Sequence, residues 1–143
     1  MLEKIGDLWE NFRKPDNIIV ITTNNQLDSR GRLIMGAGTA KEAKLRIPSL
    51  PDLMSEYGDW DYHFVEFQKL GVGCLQTKRC WRNDSPLELV KNSLNIFRLH
   101  VETQPQLCYN LPRPGCGFGR LNWQDIRPLC EVLPDNVVIY HKE

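Results

Sequence analysis

Residues 17–21 read NIIVI, a short unbroken run of apolar, largely β-branched side chains. A strand with one wet face alternates polar and apolar residues. An unbroken run suits a strand buried on both faces, as in a parallel sheet covered by helices. The run opens into Thr22, Thr23, Asn24 and Asn25, then a polar stretch, then Met35, Gly36, Ala37 and Gly38, where a helix pattern carrying Ala40 and Ala43 begins. A second strand-like run, residues 106–111, enters LPRPGCGFGRLNW, with Gly115, Gly117 and Gly119 in alternation, and a helix pattern leaves it at Asn122. Two buried strands that each pass through a glycine loop into a helix commit the chain to an α/β sheet with helices on both faces. In open α/β sheets such loops gather at the carboxyl ends of the strands and line a ligand crevice.

Glycine admits positive φ and lets a ligand approach the main chain, while Pro112 and Pro114 fix φ on the way in. Free backbone N–H groups at such a loop and at a helix start hold anions. One loop alone equally suits a tight strand-to-helix turn. Two of the same construction suggest facing walls of one cleft.

The length of 143 residues fits one domain with a full core. Lys and Arg number 18 and Asp and Glu number 18, so no bulk field draws in nucleic acid or an anionic membrane. No apolar stretch approaches a membrane-spanning length, and MLEKIGDLWENF lacks a signal-peptide profile, so a cytoplasmic protein without membrane contact is expected. The five cysteines (Cys74, Cys80, Cys108, Cys116, Cys130) contain no Cys-x-x-Cys pair and read as reduced thiols, not as a disulfide framework or zinc site. Neither metal nor cofactor is expected. Cys116 reads as a small packing residue of its loop, because no histidine is placed to activate it.

The remaining elements follow in order. Residues 4–8 read as a strand end closing on Gly6 and Asp7, with Asp7 a turn or cap residue. Residues 26–34 make the first loop long enough to be functional or mobile. The helix after it must stop at about Ile47, because Pro48 disfavours helical geometry before it. Pro51 starts a short helical turn with Leu53, Met54 and Tyr57 on one side. Residues 62–68 and 71–77 read as two strands joined by a turn. Lys78, Arg79, Cys80, Trp81 and Arg82 form a basic run around an aromatic. Ser85, Pro86, Leu87 and Glu88 read as a capping box with proline at the first helical position, opening a helix whose stripe is Leu87, Val90, Leu94, Phe97 and Val101. Asn122 reads as the N-cap of a helix carrying Ile126, Leu129 and Cys130, and residues 137–140 as the closing strand.

MGAGTAKEA followed further along by LPRPGCGFGRLNW resembles the macrodomain family, in particular the branch of the terminal ADP-ribose protein glycohydrolase and the DarG-type antitoxins that remove ADP-ribose from DNA. The resemblance runs in order over nearly the whole chain. It implies one macrodomain over residues 1–143, a three-layer α/β/α fold with a central mixed sheet, and ADP-ribose or an ADP-ribosylated macromolecule as partner. By the same resemblance Asp7 receives the adenine amino group and Leu8 packs beside the base. Asn24 faces the distal ribose, with Asn25 the alternative because this loop is enlarged. Met35, Gly36, Ala37 and Gly38 wrap the distal ribose and pyrophosphate. Pro114, Gly115, Cys116, Gly117, Phe118 and Gly119 form the second phosphate loop. Uncharged loops of this kind hold a pyrophosphate through N–H groups and a helix N-terminus.

Lys78 matches the lysine that this branch uses in catalysis. Such an amine must be neutral to attack, which requires burial or a nearby cation, and Arg79 is the expected neighbour. Without the resemblance Lys78 reads as a surface lysine at a strand end. One departure is Gly119, which stands where the glycohydrolase acting on proteins has an aspartate; the DarG-type antitoxins are implied to have glycine there and to work through their lysine. Three functions stay open at this point. The first is a hydrolase with Lys78 as nucleophile and Arg79, Trp81 and Arg82 against a single-stranded nucleic acid. The second is a reader that binds ADP-ribose unchanged, and the third a phosphatase of ADP-ribose 1″-phosphate.

Overall fold

The sheet is built outward from β2 (Asn17–Thr23), which lies parallel to β5 (Cys108–Pro112) on one side and to β4 (Val72–Gln76) on the other. The computed structural model describes residues 1–142; Glu143, the last residue of the expected domain, lies outside them. Ile19 and Ile21 of β2 face one core and Ile18 and Val20 the other, all 2% exposed or less. Both faces of the strand are dry, as an unbroken apolar run requires.

Beyond β5, β6 (Val137–His141) and then β1 (Leu2–Ile5) continue the parallel set to one edge. Beyond β4, β3 (Phe64–Phe67) closes the other edge antiparallel, and a 3-10 turn over Gln68–Leu70 leads from it into β4. The order β1-β6-β5-β2-β4-β3 is a mixed six-stranded sheet. A 3-10 turn (Leu8–Asn11), α1 (Gly38–Arg46) and α2 (Leu50–Leu53) cover one face. The other face carries α3 (Leu87–Glu102) and α4 (Trp123–Cys130). The three-layer α/β/α arrangement is the expected one.

Several local expectations need correction. The α3 stripe is Leu89, Val90, Ser93, Leu94, Phe97 and Val101, whereas Leu87 is 48% exposed. Burying a leucine or phenylalanine contributes about 1.5–3 kcal/mol, so Leu94 and Phe97 on the sheet set the helix's rotation. The capping box does not form: Pro86 holds the N-cap position, and the Ser85 side chain bonds nothing among the described residues. Ser85 is instead drawn beneath the second glycine loop, where its N–H donates to the Gly119 carbonyl at 2.9 Å. Asn122 does occupy the N-cap of α4, but without a side-chain capping bond. In α2 the buried positions are Leu50 and Pro51, with Met54 buried just beyond it, while Leu53 is 40% exposed.

The long first loop is a closed hairpin and not an open strap. Leu27 and Leu33 pair, Asp28 Oδ1 accepts the N–H groups of Arg30 and Arg32 at 2.8 and 3.0 Å, and Leu33 N–H donates to the Pro51 carbonyl. Its polar residues build a turn, and Leu33 anchors it in the core. Among the described residues no helix is long and apolar enough to cross a membrane.

Candidate functional site

β5, β2 and β4 are neighbours and parallel, so their carboxyl ends open on the same side of the sheet. Each delivers one segment there: β2 the loop from Asn24 to α1, β4 the Thr77–Lys78 turn, and β5 the loop through Gly119. The Thr23 carbonyl accepts from both Thr77 N–H (2.8 Å) and Lys78 N–H (3.2 Å), which ties the β4 segment to the end of β2. The three segments enclose a cleft of about 520 Å³, a size usual for small-molecule sites.

Of the residues expected at a site, Asn24, Gly36, Ala37, Gly38, Lys78, Gly115, Gly117, Phe118 and Gly119 line this cleft. The two glycine loops meet across it: a methyl group on Gly38 would lie 3.4 Å from Phe118 Cδ2. Asn24 is only partly free for a ligand, because its Nδ2 donates to the Ile34 carbonyl (3.0 Å) and its Oδ1 accepts from Gln26 N–H (2.8 Å). Asn25 is buried and spends its amide on Trp60 and Asp61, away from the lining. Leu8 and Met35 are core residues, 7% and 2% exposed, and Pro114 is buried behind its loop. Asp7 caps the 3-10 turn, accepting Trp9 N–H at 3.0 Å, and lines a separate shallow hollow with Gly6, Trp9, Glu42 and Arg46.

The second loop is held by four backbone bonds: Cys116 N–H to Arg113, Arg120 N–H to Gly117, Leu121 N–H to Gly115, and Ser85 N–H to Gly119. The N–H groups of Gly117, Phe118 and Gly119 take no part in these bonds. Only one of the three alternating glycines, Gly115, has positive φ (73°); Arg120 also takes it, at 63°. Gly119 is required for a different reason. A Cβ there would sit 2.5 Å from the Gly115 carbonyl oxygen and against Ser85 Oγ. No side chain fits, so the loop as folded excludes a carboxylate at this position. Cys116 is half-buried, and burial pushes its thiol up to about 11. It is a neutral thiol, consistent with a packing role.

Lys78 Nζ donates to the Phe118 carbonyl at 3.0 Å and to the Trp81 carbonyl at 3.4 Å. Burial, and then the Arg120 guanidinium, hold this amine below its ordinary pKa, with Asp84 and Cys80 pulling the other way. The expected cation, Arg79, is not the cause. Its guanidinium is turned away and clamps Asp61 through bonds of 2.9, 3.1 and 3.2 Å.

Sequence reasoning missed part of the lining. Thr22 and Thr39 stand on the floor, with Thr22 N–H donating to Thr39 Oγ1 at 3.1 Å. Arg82, Arg113 and Arg120 also line the cleft. Arg82 is expected from sequence only as part of an outlying basic run, while Arg113 and Arg120 lie within LPRPGCGFGR, where the glycines are the stronger signal. With Lys78 they make the lining cationic, and among the described residues no carboxylate belongs to it. A chain of zero net charge thus concentrates positive charge at one cleft, where low-dielectric walls focus the field.

Solved structures superpose on nearly the whole chain. The macrodomain of Mycobacterium tuberculosis DarG matches with a TM-score of 0.69 at 24% identity, covering 99% of this chain and 97% of that one. The macrodomain of Thermus aquaticus DarG matches with a TM-score of 0.67 at 22% identity, covering 99% and 97%. The chain has the macrodomain fold. Thermosipho africanus DarTG, solved in complex with ADP-ribose, matches with a TM-score of 0.67 at 19% identity over 98% of this chain, which spans 41% of the length of that one. No protein-family model and no curated protein matches the sequence. In this chain, the cleft at the ends of β2, β4 and β5 is where both glycine loops and Lys78 converge.

Proposed function

We propose that this macrodomain binds ADP-ribose in the cleft between its two glycine loops and hydrolyses an ADP-ribosyl linkage through Lys78. The observation that carries the reading is the position of Lys78 Nζ: an amine with a lowered pKa, tied to the second glycine loop and facing the first across the cleft. The start of α1 at Gly38 and the unbonded N–H groups of the second loop suit a pyrophosphate. Arg113 and Arg120 add charge that backbone dipoles alone do not supply.

In the proposed reaction the neutral Lys78 amine attacks the anomeric carbon of the distal ribose. The bond from that carbon to the modified group breaks, and the leaving group departs with a proton from the amine. The ribose ring opens as the remaining amine proton passes to the ring oxygen, leaving an imine to Nζ. Water then adds to the imine carbon and releases Lys78 and ADP-ribose, so that one water is consumed. That no carboxylate lines the cleft among the described residues favours a lysine mechanism over one needing an acidic residue.

Nucleic acid is the modified partner we favour. Arg82 stacks over Trp81 at 5.0 Å beside the cleft, and the ring is 44% exposed. Such a pair stacks on an unpaired base, while the cationic lining meets flanking phosphates.

The test is a panel of ADP-ribosylated single-stranded DNA, ADP-ribosylated glutamate peptide and ADP-ribose 1″-phosphate, with products read by mass spectrometry. Release of ADP-ribose from the DNA, lost in Lys78→Ala by orders of magnitude while ADP-ribose affinity stays within a few-fold, is the expected result. Borohydride added during turnover is expected to trap the imine on the Lys78 peptide. A wild-type protein that binds ADP-ribose but releases none of it would be a reader.

A further inference from the structure

Behind Lys78 lies a buried polar network that the reaction itself does not use. Gln76, the last residue of β4, is fully buried, and its Nε2 donates to Asp61 Oδ1 at 2.9 Å and to the Lys78 carbonyl at 3.2 Å. Its Oε1 accepts His63 N–H at 3.2 Å. Asp61 is in turn held by the Arg79 guanidinium, whose adjacent charge keeps that carboxyl below its usual range. A buried amide is costly unless all its polar atoms are paired, and here they are. Lys78 is thereby fixed from two sides: its N–H by Thr23, its carbonyl by Gln76.

We infer that Gln76 is a positioning residue for Lys78, locking the backbone of the proposed nucleophile through its carbonyl, with Asp61 and Arg79 orienting the Gln76 amide. The inference rests on the assignment of Lys78 above. A terminal strand residue with a free carbonyl would let the Thr77–Lys78 turn drift. A drift of about 1 Å at a reacting atom costs on the order of 100-fold in rate.

The polarity of the network supplies the test. The double variant Asp61→Asn, Gln76→Glu exchanges the amide and the carboxylate. The new amide at position 61 donates to the new carboxylate at position 76, which still accepts His63 N–H. Arg79 still finds an acceptor in the amide oxygen at position 61. Net charge is unchanged. The donor to the Lys78 carbonyl is lost, and Asn25 Nδ2 gives up its 3.4 Å bond to position 61 while keeping the Trp60 carbonyl. The buried carboxylate, no longer paired with Arg79, is expected to lower the melting temperature; well below that temperature ADP-ribose should bind within about threefold, while single-turnover release of ADP-ribose falls roughly 10- to 100-fold.

An independent readout is the NMR titration of 13C-methylated Lys78. Arg120, Asp84 and Cys80 are the charged or titratable groups acting on this amine; Gln76→Met leaves all three in place and, unlike the double variant, brings no new carboxylate towards Lys78, so the titration is read in Gln76→Met. Release of Nζ from its half-buried slot is expected to move its midpoint up towards that of an ordinary lysine. Gln76→Met with wild-type titration and wild-type rate overturns the inference. It keeps the shape of the side chain and removes the same donor to the Lys78 carbonyl, and it decides the matter alone should the double variant not fold. If wild-type protein hydrolyses nothing, the proposed function fails, and the titration still decides whether Gln76 positions Lys78.

Discussion

Lys78 Nζ and the Phe118 carbonyl are 3.0 Å apart, so the amine at the end of β4 is bonded to the tip of the loop that follows β5. The bond crosses the cleft between two of its three walls. Two carbonyl acceptors favour the ammonium, whereas partial burial and Arg120 favour the amine, and the balance falls on the amine's side of the ordinary lysine value. A ligand that displaces Phe118 from Nζ removes an acceptor that favours the ammonium, while Arg120, which favours the amine, stays.

The pH dependence of turnover follows from that balance. Only the free amine attacks, so the rate is expected to rise with pH through the lowered Lys78 pKa and then level off. The midpoint should fall below the value of about 10.4 usual for lysine. Arg120→Ala removes the opposing cation and should move the midpoint upward. Single-turnover rates across pH decide the matter; a rate that falls as pH rises would mean that the ammonium is the active form.

Gly119→Ala is expected to destabilise the fold by about 1–3 kcal/mol, because the new Cβ meets the Gly115 carbonyl and Ser85. Denaturant unfolding measures it. Adding Ser85→Ala should recover only part of the loss, since the Gly115 contact is with backbone. Full recovery would show that the Ser85 hydroxyl alone sets the limit.

Gly117→Val should behave in the opposite way. A Cβ at Gly117 has nothing within 4 Å, and its φ is not positive, so the melting temperature should stay near wild type. The branched side chain projects from a residue that lines the cleft, and calorimetry should detect no ADP-ribose binding. Normal binding by this variant would make the second loop only a turn.

Asp7→Ala removes the cap on the 3-10 turn and should cost about 0.5–2 kcal/mol of stability. If Asp7 also receives the adenine, ADP-ribose affinity should drop by roughly 1–3 kcal/mol. Affinity for ribose 5-phosphate, which has no adenine, should not change. Equal losses for both ligands would place Asp7 in a structural role alone.

The layered fold was legible because it depends on local chemistry. NIIVI can be dry on both faces only in a covered sheet, Pro48 stops α1 at Ile47, and the two glycine loops announce strand-to-helix turns. The resemblance to macrodomains rested on those same loops. Capping and exposure were less legible, because they depend on what packs above a residue. Ser85 has the right neighbours for a capping box, yet the loop carrying Gly119 claims its N–H. Leu87 has the right spacing for the stripe, yet α3 turns Leu89 to the sheet instead.

What the chain order alone determined is the set of parts: two glycine loops, a lysine after a strand, and strands apolar enough to lie side by side. Which parts meet was decided by the strand order. β5, β2 and β4 are adjacent in the sheet although α1, α2 and β3, or the whole of α3, separate them along the chain. That adjacency puts Lys78 against Phe118 and gives it Arg120 rather than its sequence neighbour Arg79 as the nearby cation. Arg79 follows Lys78 directly, but its guanidinium reaches Asp61 first. Charge acts through space, so neighbours in sequence do not foretell which ion shifts a pKa; only the packed structure does.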